Sequence, residues 1–507
     1  MIPLTQAIAG TFLLWILHQW YAFETMKRKL SAIPTIGSSN FILGYFHSLR
    51  FAFNGHELVA EGYKKYPGGL FKLRTPATTS GWIIVGSGTE IVEDIRRGSS
   101  DHLSFFAAMS DSHGSRWVGG IRDGSNDSPT EPYHFDVVRL SLTRSFPSRF
   151  DDICDEISAS VGDMFGHSSA WNGVPLVRSL VPVIARTTNR LFIGLPLCRD
   201  REFLSGTQRF TSGRVATANV LQLVPGALKP LVGKLISPVA TALRELEPIL
   251  GPIIRERLHQ DAVQGAERAD RPKDLISWLL DFSPPEKRNV EDIIFRIISL
   301  NFVSVHTTSI TIANALFDLA AHPKYLAPLR AEAEGAVEQY GWTKEAMNKM
   351  RGLDSFLKES SRMRGTGSTS MTRKVLRDFT LSNGITLPAG SVVGIASRGL
   401  HHDSEKYEDP LKFDGFRFLR LREKEEGGEL KYQMVSLHHD YLLFGHGRSA
   451  CPGRFFAVNE AKAVMAHILL NYDIKFPEGV TSHPAGKWFS ASYTPHPSAQ
   501  LLVRKRV

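Results

Sequence analysis

Hydrophobic and polar positions along the chain fall into helical and strand-like periods. The longest signal follows Asn289, a residue suited to capping a helix, with Glu291 and Asp292 in the turn where a helix dipole favours acids. Apolar residues then fill almost every position from Ile293 to Val305. The pattern continues to Ala321, where His322-Pro323 stops it. The spacing predicts one helix over Val290–Ala321, about 48 Å long and apolar enough to run through a core. Between about residues 130 and 365 the chain reads mainly as further helices, punctuated by Val224-Pro225-Gly226 and Ser283-Pro284-Pro285. Short β-type runs stand at residues 70–73, 82–85, 392–396 and 500–503. The expected fold is mainly α with small β-sheets (α+β), the sheets contributed from both chain ends, which makes residues 30–507 one unit.

The N-terminus departs from a soluble pattern. Residues 2–23 carry no formal charge and residues 7–17 are nearly all apolar, with Gln6, His18 and Gln19 toward the ends. About 20 such residues span a bilayer core as a helix. Trp20 and Tyr21 suit an interface, and Lys27, Arg28 and Lys29 follow. The positive-inside rule then leaves the bulk of the chain in the cytosol. The basic cluster lies after the apolar run and no small-residue cleavage site follows it, unlike a signal peptide. The expectation is an uncleaved single-pass transmembrane anchor at residues 1–29 in the endoplasmic reticulum membrane. The sequon at Asn126 would then face away from glycosylation. A stiff turn at Ile33-Pro34-Thr35-Ile36-Gly37 separates anchor from body.

Composition narrows the remaining classes. Hydrophobic residues are 42% and charged residues 22%, which excludes wholesale disorder and a multi-span membrane protein. The three cysteines, Cys154, Cys198 and Cys451, are too few and scattered for a disulfide framework or a four-cysteine zinc site. A net charge of +9 comes without a basic run or nucleic-acid motif, so it points to acidic protein surfaces or anionic lipid.

The most informative stretch is Phe444-Gly445-His446-Gly447-Arg448-Ser449-Ala450-Cys451-Pro452-Gly453-Arg454, followed by a helical pattern. Pro452 suits a first helical position, placing Cys451 at or beside the N-cap, where the dipole would lower its thiol pKa. Gly445 and Gly447 allow tight bends and close approach of a flat ligand. Phe444, Gly447, Cys451 and Gly453 match Phe-x-x-Gly-x-x-x-Cys-x-Gly, which resembles the haem-binding signature of the cytochromes P-450, the haem-thiolate monooxygenases. Glu359-Ser360-Ser361-Arg362 is similar to the family's Glu-x-x-Arg, and the segment Phe413-Asp414-Gly415-Phe416-Arg417-Phe418 to the one whose Arg417 joins that pair in a buried network.

The resemblance implies haem b held by the Cys451 thiolate, reductive activation of O2, and insertion of one oxygen atom into a lipophilic substrate. Electrons would come from NADPH through a membrane-bound NADPH-cytochrome P-450 reductase, steered by Arg139, Arg448, Arg454 and Lys462. The long helix would cross the distal haem face. Where the family has Ala-Gly-x-(Asp/Glu)-Thr-(Thr/Ser), this chain reads Val303-Ser304-Val305-His306-Thr307-Thr308. Thr307, with Thr308 as alternative, would serve the oxygen, and His306 would relay protons in place of the acid or play a structural part. Hydroxyls there can equally bond back to the helix. Arg139 and Arg373 match propionate-binding positions, with Arg144, His446 and Arg448 in reserve because Ser449 replaces the usual cation. The His-Thr-Thr-Ser run is similar to fungal enzymes that oxidise terpenoids and related secondary metabolites. Substrate contacts would fall at residues 105–109, 210–223, Phe302, Val303 and 366–369. Two alternatives stay open: a reductase-independent isomerase or rearranging enzyme on the same fold, and a non-catalytic, membrane-tethered haem-binding protein whose His306 caps the iron.

Overall fold

The computed structural model describes residues 4–112, 114–118 and 132–506; Asn126 lies outside them. The long helix runs over Val290–Ala321 as the pattern predicts, and the Asn289 side chain accepts the Asp292 N–H at 2.9 Å. It passes through the largest core cluster, packing on the helices Leu176–Phe192, Arg201–Leu223, Val239–Gln264, Arg351–Met363 and Arg454–Asn471. Asn301, buried in its middle, exchanges amide hydrogen bonds with Asn189 at 2.6 and 3.2 Å, which fixes the two helices in register. By length and composition this helix is apolar enough to cross a membrane. Over half of that apolar window is buried by protein, as a core helix requires.

Helices hold 61% of the residues, and the small sheets join distant parts of the chain. The five-stranded sheet runs in the order Leu70–Arg74, Trp82–Gly86, Val392–Ile395, Ser370–Val375, Leu103–Ser104. Its central parallel pairing sets Ile83 against Val392 and Ile84 against Val393. A three-stranded sheet adds Asn172–Pro175, Gln500–Lys505 and Tyr472–Lys475. The β-type runs expected at both chain ends are all strands.

The Glu-x-x-Arg pair lies on the helix Arg351–Met363 and is fully buried. Arg362 forks onto Glu359 with two bonds of 2.8 Å, and Arg417 reaches Glu359 Oε1 at 3.2 Å. The guanidinium of Arg362 also donates to the carbonyls of His401 and Pro410, and that of Arg417 to Glu408, Asp409 and Lys412. One carboxylate thus pairs with two buried cations, and backbone carbonyls take the remaining donors. Removing a partner from such a network costs about 3–5 kcal/mol. The network clamps the segment around residues 401–417, from which the chain leads to the cysteine loop.

A second buried carboxyl behaves differently. Glu460, on the helix Arg454–Asn471, accepts from Thr188 Oγ1 at 3.0 Å, while its Oε2 has no protein partner. Burial pushes its carboxyl up from 4.5 to about 8, so the folded protein holds this proton at neutral pH. The unfolded chain releases it near 4.5, so stability falls as pH rises from about 4.5 to about 8. Glu460→Gln keeps an acceptor for Thr188 and removes the titration. Its thermal stability relative to wild type should therefore rise between pH 5 and pH 8, by an amount on the order of 3 kcal/mol. Melting curves at the two pH values check this, and a gap that does not change with pH contradicts it.

Candidate active site

The cysteine loop is closed by its own backbone. Cys451 N–H donates to the Phe444 carbonyl at 2.9 Å, Ala450 N–H to Gly447 at 3.1 Å and Gly445 N–H to Leu442 at 3.1 Å. Gly445 and Gly447 take φ of +67° and +73°, conformations that side chains with a Cβ resist. Gly447 has a second constraint. A Cβ there would lie 2.8 Å from the Arg96 carbonyl oxygen, so the loop sits directly on the helix Thr89–Arg97.

The helix after the loop begins at Arg454 with Gly453 as N-cap, later than the sequence suggests. Pro452 is therefore not its first residue, and Cys451 stands two positions before the cap. The backbone N–H groups of Gly453 and Arg454 still point at the sulfur and favour its anion. Burial outweighs them and pushes the thiol pKa up rather than down. The Arg454 guanidinium adds to those donors in favouring the anion.

Around this sulfur the structure gathers some of the expected cations and not others. Arg454 donates to the Cys451 carbonyl at 3.0 Å and stacks over Phe455, and burial, with Arg139 nearby, lowers its guanidinium pKa. Arg139 itself sits in a π-helical turn, Val137–Leu142, beside Asp136 at 3.2 Å. Its neighbour Val138 is 3.6 Å from where a Cβ on Gly453 would lie. Arg373 is buried on the strand Ser370–Val375, under the Phe105 ring, and donates to the Thr372 carbonyl at 2.9 Å. Arg448 is exposed, and Arg144 lies in the turn Thr143–Ser145, none of whose residues is buried. His446 is occupied locally: its Nδ1 accepts the Gly447 N–H at 2.8 Å. Burial, with His439 and Arg96 nearby, pushes its pKa down to about 4. Lys462, expected on a basic outer face, is instead buried against Asp354 at 3.3 Å.

The distal candidates lie on the long helix, which packs directly on the helix that follows the cysteine loop. In the middle of this buried helix Val303 is 50% exposed and Thr307, one turn on, is also accessible. Thr308 is buried. Thr307 Oγ1 donates to the Val303 carbonyl at 2.8 Å and keeps its lone pairs free on the accessible face. His306 is half-buried, and burial lowers its pKa, so its imidazole is neutral at pH 7. Phe302 is partly buried beside it.

A cytochrome P450 family model matches residues 137–503. The chain is 36% identical to cytochrome P450 monooxygenase 103 of Postia placenta, over 97% of both chains. The chain belongs to the cytochrome P450 family. It is a monooxygenase of that family, and the family brings haem with cysteine thiolate ligation. Ent-kaurene oxidase of Gibberella intermedia is 29% identical to this P450, over 97% of this chain and 90% of its own. Among solved structures, the haem domain of cytochrome P450DA has the same fold, with a TM-score of 0.67 at 18% identity, covering 94% of this chain and 98% of that one.

The residues present fit such a group: a glycine-turned loop presents Cys451, two N–H donors face its sulfur, Arg139 lies near Arg454, and Ser370 on the strand that carries Arg373 donates to the Leu442 carbonyl of the loop at 2.8 Å. When bound, thiolate-ligated haem supplies reductive activation of dioxygen. Sequence reasoning missed the contact of Gly447 with Arg96 and the pairing of Glu460 with Thr188, which no local pattern marks. Gly447→Ala combines left-handed strain with a backbone clash, whereas Gly445→Ala carries strain with no atom nearer than 3.9 Å. Gly447→Ala should reduce haem content of purified protein at least fivefold, and Gly445→Ala less than twofold. Equal losses would contradict the role of the Arg96 contact.

Proposed function

We propose that this P450 is a membrane-anchored monooxygenase that draws electrons from an NADPH-dependent reductase. It would insert one oxygen atom of O2 into a lipophilic secondary metabolite of terpenoid type. The observation that carries this reading is that the loop-held cysteine leads directly into a helix that packs on the long helix carrying the accessible Thr307. Cys451 ligates the iron. Phe444, Gly445, Gly447 and Gly453 shape the haem cradle, Arg139 and Arg373 hold propionates, and Arg448 stays outside as a surface cation for the reductase. Thr307 rather than Thr308 presents the oxygen-side hydroxyl, because Thr308 faces protein. His306, neutral at pH 7, can pass a proton on without carrying a charge into the site.

Membrane placement is supported by the helix Leu4–Lys29 with its three basic residues at the end, and by apolar surface beyond it. Ile42, Leu43, Tyr45 and Phe46 are exposed at the start of the helix Phe41–Lys65, whose Phe41 ring meets Phe23 at 5.3 Å. Leu231 and Leu235 are exposed on the helix Lys229–Leu235, where Lys229 donates to the Pro76 carbonyl at 3.3 Å. Such surface suits the interface of the endoplasmic reticulum membrane with residues 30–507 on the cytosolic side. The substrate class rests on one relative, the protein named ent-kaurene oxidase, beside the fungal monooxygenase of Postia placenta.

The test reconstitutes the protein with reductase, NADPH and a terpenoid panel. Thr307→Ala should lower product formed per NADPH at least fivefold and release hydrogen peroxide, while Thr308→Ala leaves that ratio within twofold. Unchanged coupling in Thr307→Ala would remove the assignment, and turnover without NADPH would favour a rearranging enzyme.

A further inference from the structure

The helix Thr89–Arg97, against which the cysteine loop rests, ends in two arginines followed by a serine that the oxygen chemistry does not use. The local sequence is Arg96-Arg97-Gly98-Ser99. Gly98 N–H makes the last helical bond, to the Asp94 carbonyl at 3.0 Å, so Ser99 lies beyond the helix. The Ser99 carbonyl accepts the N–H groups of His102 and Leu103 at 3.1 and 2.8 Å, which turns the chain there. Ser99 is exposed, and its Oγ lies 3.0 Å from His102 Nδ1. The Arg97 side chain is 73% exposed, and both Arg96 and Arg97 reach Glu93. Glu93 also meets His439 Nε2 at 2.9 Å, and the His439 ring lies 4.9 Å from that of His446 in the cysteine loop. The same helix packs on the turn Gly447–Ser449, so its C-terminal end neighbours the exposed Arg448.

We propose that Ser99 is a phosphorylation site for an arginine-directed serine kinase, and that its phosphate weakens docking of the electron donor. Such a kinase presents an acidic groove, and arginines two and three residues before the acceptor offer it complementary charge. The pairs with Glu93 are solvent-screened and weak, and the last turn of a helix frays readily. The segment can therefore extend into a kinase groove at small cost. In the transfer the Ser99 oxygen attacks the γ-phosphorus of ATP and the bond to the bridging oxygen breaks. ADP leaves, and the hydroxyl proton passes to the kinase and then to solvent. The product carries about two negative charges at pH 7. His102 stands beside it, and the phosphate oxygens compete with Glu93 for the guanidinium of Arg97. A rim that steers an acidic donor toward Arg448 thereby loses positive charge. The effect on the donor rests on the reductase reading above, and the phosphorylation itself does not.

The test treats the haem-loaded, full-length protein with the catalytic subunit of cAMP-dependent protein kinase and MgATP. Peptide mass spectrometry should find a phosphate on Ser99. Ser99→Ala should abolish that phosphate and keep basal activity, and Arg97→Gln should slow its formation at least fivefold. At low ionic strength the phosphorylated protein should show a KM for reductase at least threefold above that of the unmodified protein. At about 0.5 M salt the difference should vanish, as charge screening requires. No phosphate on Ser99, or an equal rate in Arg97→Gln, overturns the site. A phosphate on Ser99 that leaves the KM for reductase unchanged at low salt overturns the effect on docking. Saturable, reductase-dependent turnover of the unmodified protein checks the electron-donor reading separately, so failure of one is not mistaken for failure of the other.

Discussion

The whole arrangement depends on keeping one sulfur anionic inside protein. Burial raises the thiol pKa of Cys451, while the backbone N–H groups of Gly453 and Arg454 and the Arg454 guanidinium favour the charged form. Those groups do not outweigh burial, and the haem iron that the family brings would supply the further positive charge that holds the sulfur as an anion. The backbone closes the loop with hydrogen bonds and two left-handed glycines, which aim the sulfur before any ligand arrives. Preorganisation of this sort spares the site the entropy of ordering a loop on binding.

The remaining architecture holds that loop against the oxygen side. The Glu359–Arg362–Arg417 network fixes the segment that precedes it, and the Gly447 contact with Arg96 seats it on a neighbouring helix. On the far side the paired amides of Asn189 and Asn301 hold the long helix in place. The Thr188–Glu460 bond ties the same Leu176–Phe192 helix to the one that follows the cysteine. Buried polar groups thus sit at the joints between helices, where a slip of one turn would move Thr307 or Cys451 by about 5 Å.

Much of this was legible in the chain. The long helix was readable to the residue because a capping asparagine, an apolar run and a His-Pro stop agree with one another. The strands at 82–85 and 392–396 were visible as β-branched runs, although their parallel pairing is a tertiary matter that no local pattern records. The start of the last long helix was misplaced because Pro452 is equally at home in the turn that precedes Gly453. Lys462 looked like a surface cation in one dimension, and only the packing of Asp354 against it shows that it is an internal counter-charge.

The central claim is that the sulfur of Cys451 binds iron in the folded protein. Resonance Raman spectroscopy of the ferric protein, grown once on natural sulfate and once on sulfur-34 sulfate, tests it directly. An iron–sulfur stretching band that moves to lower frequency with the heavy isotope, and is missing from Cys451→His, is the predicted result. A haem spectrum with no isotope-sensitive band in that region would contradict the account.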